Sequence, residues 1–186
     1  LGGVALSHNN NPLYNYPPSY LFKKESGYIV EGGQEPTVLY ENGLFKMWYT
    51  SITGKVHYTT SQDGINFIND QLVVGNGTGG ESLGARCSHL TKIDGIYYLY
   101  YINSLPGLNV NRVQSIDGIN FSDKAIVLTA SQVLSASGWD IASFGNLYIT
   151  FEDGIYKMLF EADEASTMYT WQLGYATSLD GLIWTV

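Results

Sequence analysis

Cysteine is almost missing from this chain: Cys87 stands alone among 186 residues. One thiol excludes a disulfide framework and a Cys-based metal site. Charge is scarce too, at 14% of residues, and positive charge scarcest, with nine Lys and Arg against seventeen Asp and Glu. The resulting net charge of -8 disfavours nucleic acid and anionic membrane as partners, since both need clustered Lys and Arg. No apolar run approaches the roughly 20 residues that a membrane helix needs. No basic stretch followed by an apolar one opens the chain, so no signal peptide is legible and the compartment stays open. A phosphate-cradling glycine loop, a zinc spacing and a Ser/His/Asp order are all lacking.

What is present is β-forming and turn-forming: 15 Tyr, 21 Gly and a hydrophobic fraction of 45%. One phrase recurs three times. EPTVLYENGLFKMWYT (35–50) is followed by TTSQDGINF (59–67), SHLTKIDGIYYLYY (88–101) by QSIDGINF (114–121), and GNLYITFEDGIYKMLFEA (145–162) by ATSLDGLIW (176–184). Asn42-Gly43, Asp94-Gly95 and Asp153-Gly154 each separate two apolar stretches, a strong hairpin signal. A third strand follows in each copy (56–60, 110–114, 173–177), and fourth strands follow at 71–74 and 125–128. Four antiparallel strands at a period of roughly 50 to 60 residues describe propeller blades. The expected class is all-β: a β-propeller of four-stranded antiparallel blades, with three blades of an expected five.

Residues 1–186 read as a single, partial propeller domain, with repeats at about 35–75, 88–128 and 145–186. Residues 1–34 read as an outer strand (Gly3 to Leu6) plus a long Pro- and Tyr-rich connector (Asn11 to Tyr28). That strand either completes the last blade or belongs to an upstream one. Three blades are too few to close a ring. A fragment of a larger propeller is the favoured reading; self-association through open blade edges is the alternative.

The phrases QEPTVLYENGLFKMWYT, GNLYITFEDGIYKMLFEA and YATSLDGLIWT resemble blades of the five-bladed propeller glycosidases, the arabinanase, β-xylosidase, invertase and levansucrase relatives. The resemblance implies hydrolysis of glycosidic bonds in an oligo- or polysaccharide, a carbohydrate partner, no cofactor (with room for a structural calcium ion in the axial channel), and an extracellular or periplasmic setting. It also implies carboxylates at the axial ends of inner strands, with the general acid a Glu just before a Pro. Gln34-Glu35-Pro36 matches that pattern. By this correspondence the chain would be blades three to five, with two aspartates upstream.

Glu35 is therefore the expected catalytic acid, and a structural carboxylate held by an Arg is the alternative. Arg86 and His89 loosely resemble the sugar-binding Arg and axial His of a fourth blade. Arg86 equally suits a salt bridge to Glu35 or Glu81, and His89 a hydrogen-bonded core position. Trp139-Asp140 and Asn146 complete the expected substrate contacts, through stacking beside a polar group; a Trp plug between blades explains Trp139 equally well. The acidic run Glu161, Asp163, Glu164 reads as a solvated loop. Asp63, Asp117 and Asp180 recur in every repeat, so they read as turn-formers. The competing function is a non-catalytic carbohydrate-binding or structural propeller, of adhesin or phage type.

Overall fold

The computed structural model describes residues 29–75, 84–103, 109–167 and 170–186, apart from the side chains of Cys87 and Ser88. The expected strand at 3–6, the connector at 11–28 and Glu81 lie outside these residues. The first sheet runs in order through β1 (Gln34–Glu41), β2 (Leu44–Thr50), β3 (Val56–Ser61) and β4 (Ile68–Val74). The second repeats it with β5 (Ala85–Ile93), β6 (Ile96–Asn103), β7 (Asn109–Ser115) and β8 (Ser122–Thr129). The third holds β9 (Ile141–Glu152), β10 (Ile155–Glu164) and β11 (Trp171–Ser178), and a single bridge from Thr177 to Thr185 extends it. Every pairing is antiparallel. These are three successive blades of a β-propeller, with β1, β5 and β9 innermost and in contact in that order.

The turns explain why the blades form where they do. Asn42-Gly43, Asp94-Gly95 and Asp153-Gly154 all have positive φ at both residues, the two-residue turn whose twist matches the strands it joins. At the other end of each blade, the Ser61, Ser115 and Ser178 hydroxyls accept the backbone N–H groups of Gly64, Gly118 and Gly181. The Asp63, Asp117 and Asp180 carboxylates accept two further backbone N–H bonds each. Those N–H donors, chiefly of Asn66, Asn120 and Ile183, hold all three carboxyls below the usual Asp range. These aspartates form turns.

One element was not anticipated. Helix α1 (Ala130–Ser137) fills the link between the second and third blades, and its Val133 is fully buried. Thr129 and Gln132 form a reciprocal capping box, and Gly138 closes the helix in the left-handed region. The acidic run also differs from expectation: Glu161, Asp163 and Glu164 belong to strand β10 and are partly buried.

Packing lies between the sheets. One apolar cluster joins blades 1 and 2 through Trp48, Tyr58, Leu90, Leu99 and Tyr101. A larger one joins blades 2 and 3 through Tyr100, Phe144, Met158, Phe160 and Trp184. Each interface carries the same polar pin. The Trp48 indole N–H donates to the Gly118 carbonyl at 2.7 Å, and the Tyr100 hydroxyl donates to the Gly181 carbonyl at 3.4 Å. Any Cβ at Gly118 would meet Trp48 at 2.9 Å, and one at Gly181 would meet the Tyr100 oxygen at 2.8 Å. Glycine is required at both turns.

At the hairpin end of the axis, Glu41 binds Lys46 at 2.9 Å and Lys92 at 2.8 Å, and accepts the Tyr97 hydroxyl. Both ammonium groups also sit over the Tyr97 ring, at 5.2 and 4.3 Å. Burial pushes the Glu41 carboxyl up, but hydrogen bonds from Lys92, Tyr97 and Lys46 outweigh it and hold the group at about 2.

Two predictions follow from this packing. Trp48→Phe leaves a buried carbonyl without its donor and should cost about 1–3 kcal/mol in urea unfolding, whereas Tyr100→Phe, losing a longer bond, should cost less than about 1 kcal/mol. Because the folded Glu41 carboxyl lies below its ordinary value of 4.5, its contribution is complete above that value. It is lost as pH falls from 4.5 toward 2, and Glu41→Gln should flatten the stability curve in that window.

Candidate functional site

The three innermost strands enclose an open cavity of about 900 Å³, lined by residues 36–41 of β1, 89–92 of β5 and 147–151 of β9. This is the axial hollow of the propeller arc. Its mouth is set by the openings of the inner strands, where each strand departs from regular register: between Gln34 and Thr37, between Cys87 and His89, and opposite Glu161 on β9. Bulges of this kind re-aim side chains and recur beside functional sites.

Glu35 sits in the first of these bulges with φ 51. Every other non-glycine residue with positive φ among the described ones is Asn or Asp: three at the hairpin turns, plus Asn69 and Asp123 at matching points of β4 and β8. Asn and Asp enter this region readily, whereas Glu does so at a cost of about 1–3 kcal/mol unless its surroundings enforce it. The surroundings here are specific. Arg86, the second residue of β5, donates through Nε at 3.0 Å and through Nη2 to Glu35 Oε1. The Thr50 hydroxyl, at the end of β2, donates to Oε2 at 2.8 Å. Glu35 is mostly buried in this pair, with 14% of its side chain exposed, and Arg86 is 35% exposed. The pair therefore bridges blades 1 and 2 at the axial mouth.

His89, the fifth residue of β5, turns toward blade 3. It donates to the Ile149 carbonyl, and its ring meets Tyr148 edge-on at 5.1 Å. Burial lowers its pKa to about 4, against the opposing effect of the Ile149 bond. The imidazole is neutral at pH 7 and keeps one nitrogen as an acceptor.

The remaining expected contacts separate. Asn146 is exposed in the β9 irregularity, level with Glu35 when counted back from the hairpin turns, and donates to Glu161 Oε2 through its backbone and side-chain nitrogens at 3.3 and 3.4 Å. Trp139 is stacked on Phe160 at 6.0 Å and 18°, packed against the interior between blades 2 and 3. Asp140 is exposed, and its carbonyl accepts the Ala165 N–H. The structure thus brings Glu35 and Arg86 together, sets His89 deeper along the same hollow, and packs Trp139 on Phe160 against the cluster that joins blades 2 and 3.

Three groups at the mouth escaped sequence reading. Thr50 was invisible because its role depends on lying across from Gln34 in the sheet. Glu161 was hidden inside an acidic run. Trp171 packs on Gly145, where a Cβ would meet its ring at 2.8 Å and Glu161 Oε2 at 2.9 Å; only strand alternation along β11 points to it. Among the described residues, no cluster of three or more His, Cys, Asp or Glu is placed to hold a metal ion.

No protein-family profile matches the chain. A stretch of 75 residues is 36% identical to a 1,2-beta-oligomannan phosphorylase of Thermoanaerobacter sp. (strain X514), covering 34% of this chain and 25% of that protein. Among solved structures, sucrose-6-phosphate hydrolase from Lactobacillus gasseri superposes with TM-score 0.65 at 14% identity, over 82% of this chain and 33% of its own. A thermostable family-43 glycoside hydrolase gives 0.62 at 19% identity, over 81% and 52%. An alpha-L-arabinofuranosidase from Podospora anserina gives 0.58 at 14%, over 84% and 49%. At these identities the likeness shows the propeller fold, and the chain spans from one quarter to about half the length of these proteins.

Breaking the Glu35–Arg86 pair gives a direct test of its geometry. In a double-mutant cycle of Glu35→Gln and Arg86→Gln, unfolding free energies should show a coupling of about 0.5–3 kcal/mol. A coupling near zero would mean that the two groups do not meet in solution.

Proposed function

We propose that this chain forms part of a carbohydrate-active propeller that cleaves a glycosidic bond, with Glu35 as proton donor and Arg86, His89 and Asn146 as the sugar contacts. The observation that carries the reading is Glu35 itself: a carboxylate forced into the left-handed region inside a bulge, at the mouth of the axial hollow. The glycosidase structures that share the fold support it, as does the phosphorylase relative.

Hydrolysis of a glycosidic bond needs two carboxyl groups on opposite sides of the scissile bond, whereas in phosphorolysis the phosphate is itself the nucleophile. Glu35 supplies one, and the second comes from blades beyond these three. In the structure Arg86 holds Oε1 and Thr50 holds Oε2. Donation of a proton from Glu35 to the leaving-group oxygen therefore requires the Arg86 fork to turn from Glu35 to the substrate. The name of the 36% identical relative widens the choice of glycosyl acceptor to water or inorganic phosphate.

A second reading keeps the sugar and drops the chemistry. Both Glu35 oxygens are already engaged, which is the arrangement of a fixed carbohydrate-binding cradle. The full-length protein incubated with 1,2-linked mannobiose, with and without inorganic phosphate, separates the outcomes. Release of a sugar 1-phosphate only with phosphate signals phosphorolysis, and release of free mannose without it signals hydrolysis. Loss of either product by at least about a hundredfold in Glu35→Gln supports the acid role. Turnover unchanged by that substitution removes Glu35 from the chemistry, and binding without turnover favours the cradle.

A further inference from the structure

Blade 3 is taller than its neighbours at the mouth. β9 has 12 residues where β1 has 8 and β5 has 9, and β10 has 10 where β2 has 7 and β6 has 8. In each blade these strands meet at the same two-residue turn, so the surplus stands at the opposite end, beyond the mouth. At about 3.3 Å per residue it raises a wall roughly 10 Å high. A neighbouring sheet of the height of blades 1 and 2 would cover blade 3 below this wall and leave the wall itself bare.

The wall carries a platform. Trp171, the first residue of β11, pairs with Asp163 on the extension. Its side chain crosses β10 to reach innermost β9, where a Cβ on Gly145 would meet its ring at 2.8 Å, yet the residue stays 48% exposed. One side of the indole is thus set against backbone and the rest meets solvent. Beside it, Glu161 and Asn146 repeat the Thr50 and Glu35 positions of blade 1 with the chemistry exchanged. The Asn146 amide donates to Glu161 Oε2 at 3.4 Å, as the Thr50 hydroxyl donates to Glu35 Oε2. Arg86 takes the other oxygen of Glu35, whereas no described residue donates to Glu161 Oε1 and no described cation pairs with it. The Trp171 indole N–H likewise bonds no described acceptor.

We propose that Trp171, Glu161 and Asn146 form a subsite for one uncharged sugar unit of the bound chain, away from the bond that is cleaved. This rests on reading the hollow as a carbohydrate site, and not on Glu35 being the acid. The apolar face of a pyranose stacks on the exposed indole. Its hydroxyls donate to Glu161 Oε1 and Asn146 Oδ1, and one accepts from the indole N–H. A carboxylate with no cation beside it repels phosphate and sugar acids, so the subsite selects neutral units. The guanidinium of Arg86 on blade 2 is the place for anionic oxygen. The mouth therefore tells the two ends of a bound chain apart.

Calorimetry on the full-length protein with 1,2-linked mannobiose, mannotriose and mannotetraose reads the subsite by chain length. Trp171→Ala should weaken the tetraose about tenfold and leave mannobiose unchanged, which also reports that the variant is folded. Gly145→Ala removes none of the three side chains but displaces Trp171 and Glu161, and should reproduce the loss. The advantage of tetraose over mannobiose should persist in Glu35→Gln. Its disappearance there would overturn the proposal by placing the gain at Glu35. Unchanged tetraose binding in Trp171→Ala, or an equal loss at every length, would overturn the subsite and leave the acid role of Glu35 untouched. Absence of binding by the unaltered protein at all three lengths would overturn the carbohydrate reading and the subsite with it.

Discussion

Each sheet in this chain carries large apolar side chains on both faces, and a four-stranded sheet covers neither face by itself. In β2, Phe45, Met47 and Tyr49 point one way while Lys46, Trp48 and Thr50 point the other. The second set packs toward blade 2, with Trp48 fully buried; the first lines a cavity, with Met47 and Tyr49 themselves buried. Coverage by a neighbouring blade is the constraint on which the rest depends. It fixes the aromatic second strands and the glycines at 118 and 181, whose turns receive Trp48 and Tyr100 of the neighbouring blade. Burial at an interior interface is close to complete, as Trp48, Tyr100 and Val110 show, while the matching positions of blade 3 remain exposed in Leu159, Leu173 and Tyr175.

The same constraint decides how much could be read from the sequence. The hairpins were legible because an Asn-Gly or Asp-Gly turn is a local signal with a local cause, and three copies in order fix the strand sequence of a blade. Helix α1 carried a legible cap at Thr129 and Gln132, but eight residues with a single buried side chain make a weak periodic signal against a β background. Glu161 was misread as part of a loop, because three acids in four residues conceal the alternation that places it on β10.

At the site, sequence could nominate residues but not choose among their partners. Glu35 and Arg86 are 51 residues apart, and their contact exists only because β1 and β5 are neighbours at a defined height. The salt bridge was one of two roles weighed for Arg86, and nothing local favours either. Trp139 shows the opposite case. Next to Asp140 it resembles a sugar platform, yet its ring is spent on Phe160, and its neighbour's side chain points to solvent. An aromatic beside a carboxylate in sequence is a different object from an aromatic beside a carboxylate in space, and Trp171 near Glu161 is the spatial one.

The two ends of β1 are stapled to blade 2 by carboxylates, and the staples differ in a way that bears on function. Glu41 is held by two lysines and a tyrosine, so losing any one partner leaves the others in place. Glu35 relies on one cation, and that cation is its more exposed partner. A ligand rich in hydroxyl or anionic oxygen arriving at the mouth competes for the Arg86 fork on equal terms with Glu35, since a guanidinium recognises such oxygens in the same planar geometry. Meanwhile the far end of the axis keeps blades 1 and 2 in register. The mouth can therefore exchange hydrogen-bond partners without moving the strands that define it, which is what a site needs if Glu35 is to be released toward a substrate and recaptured afterwards.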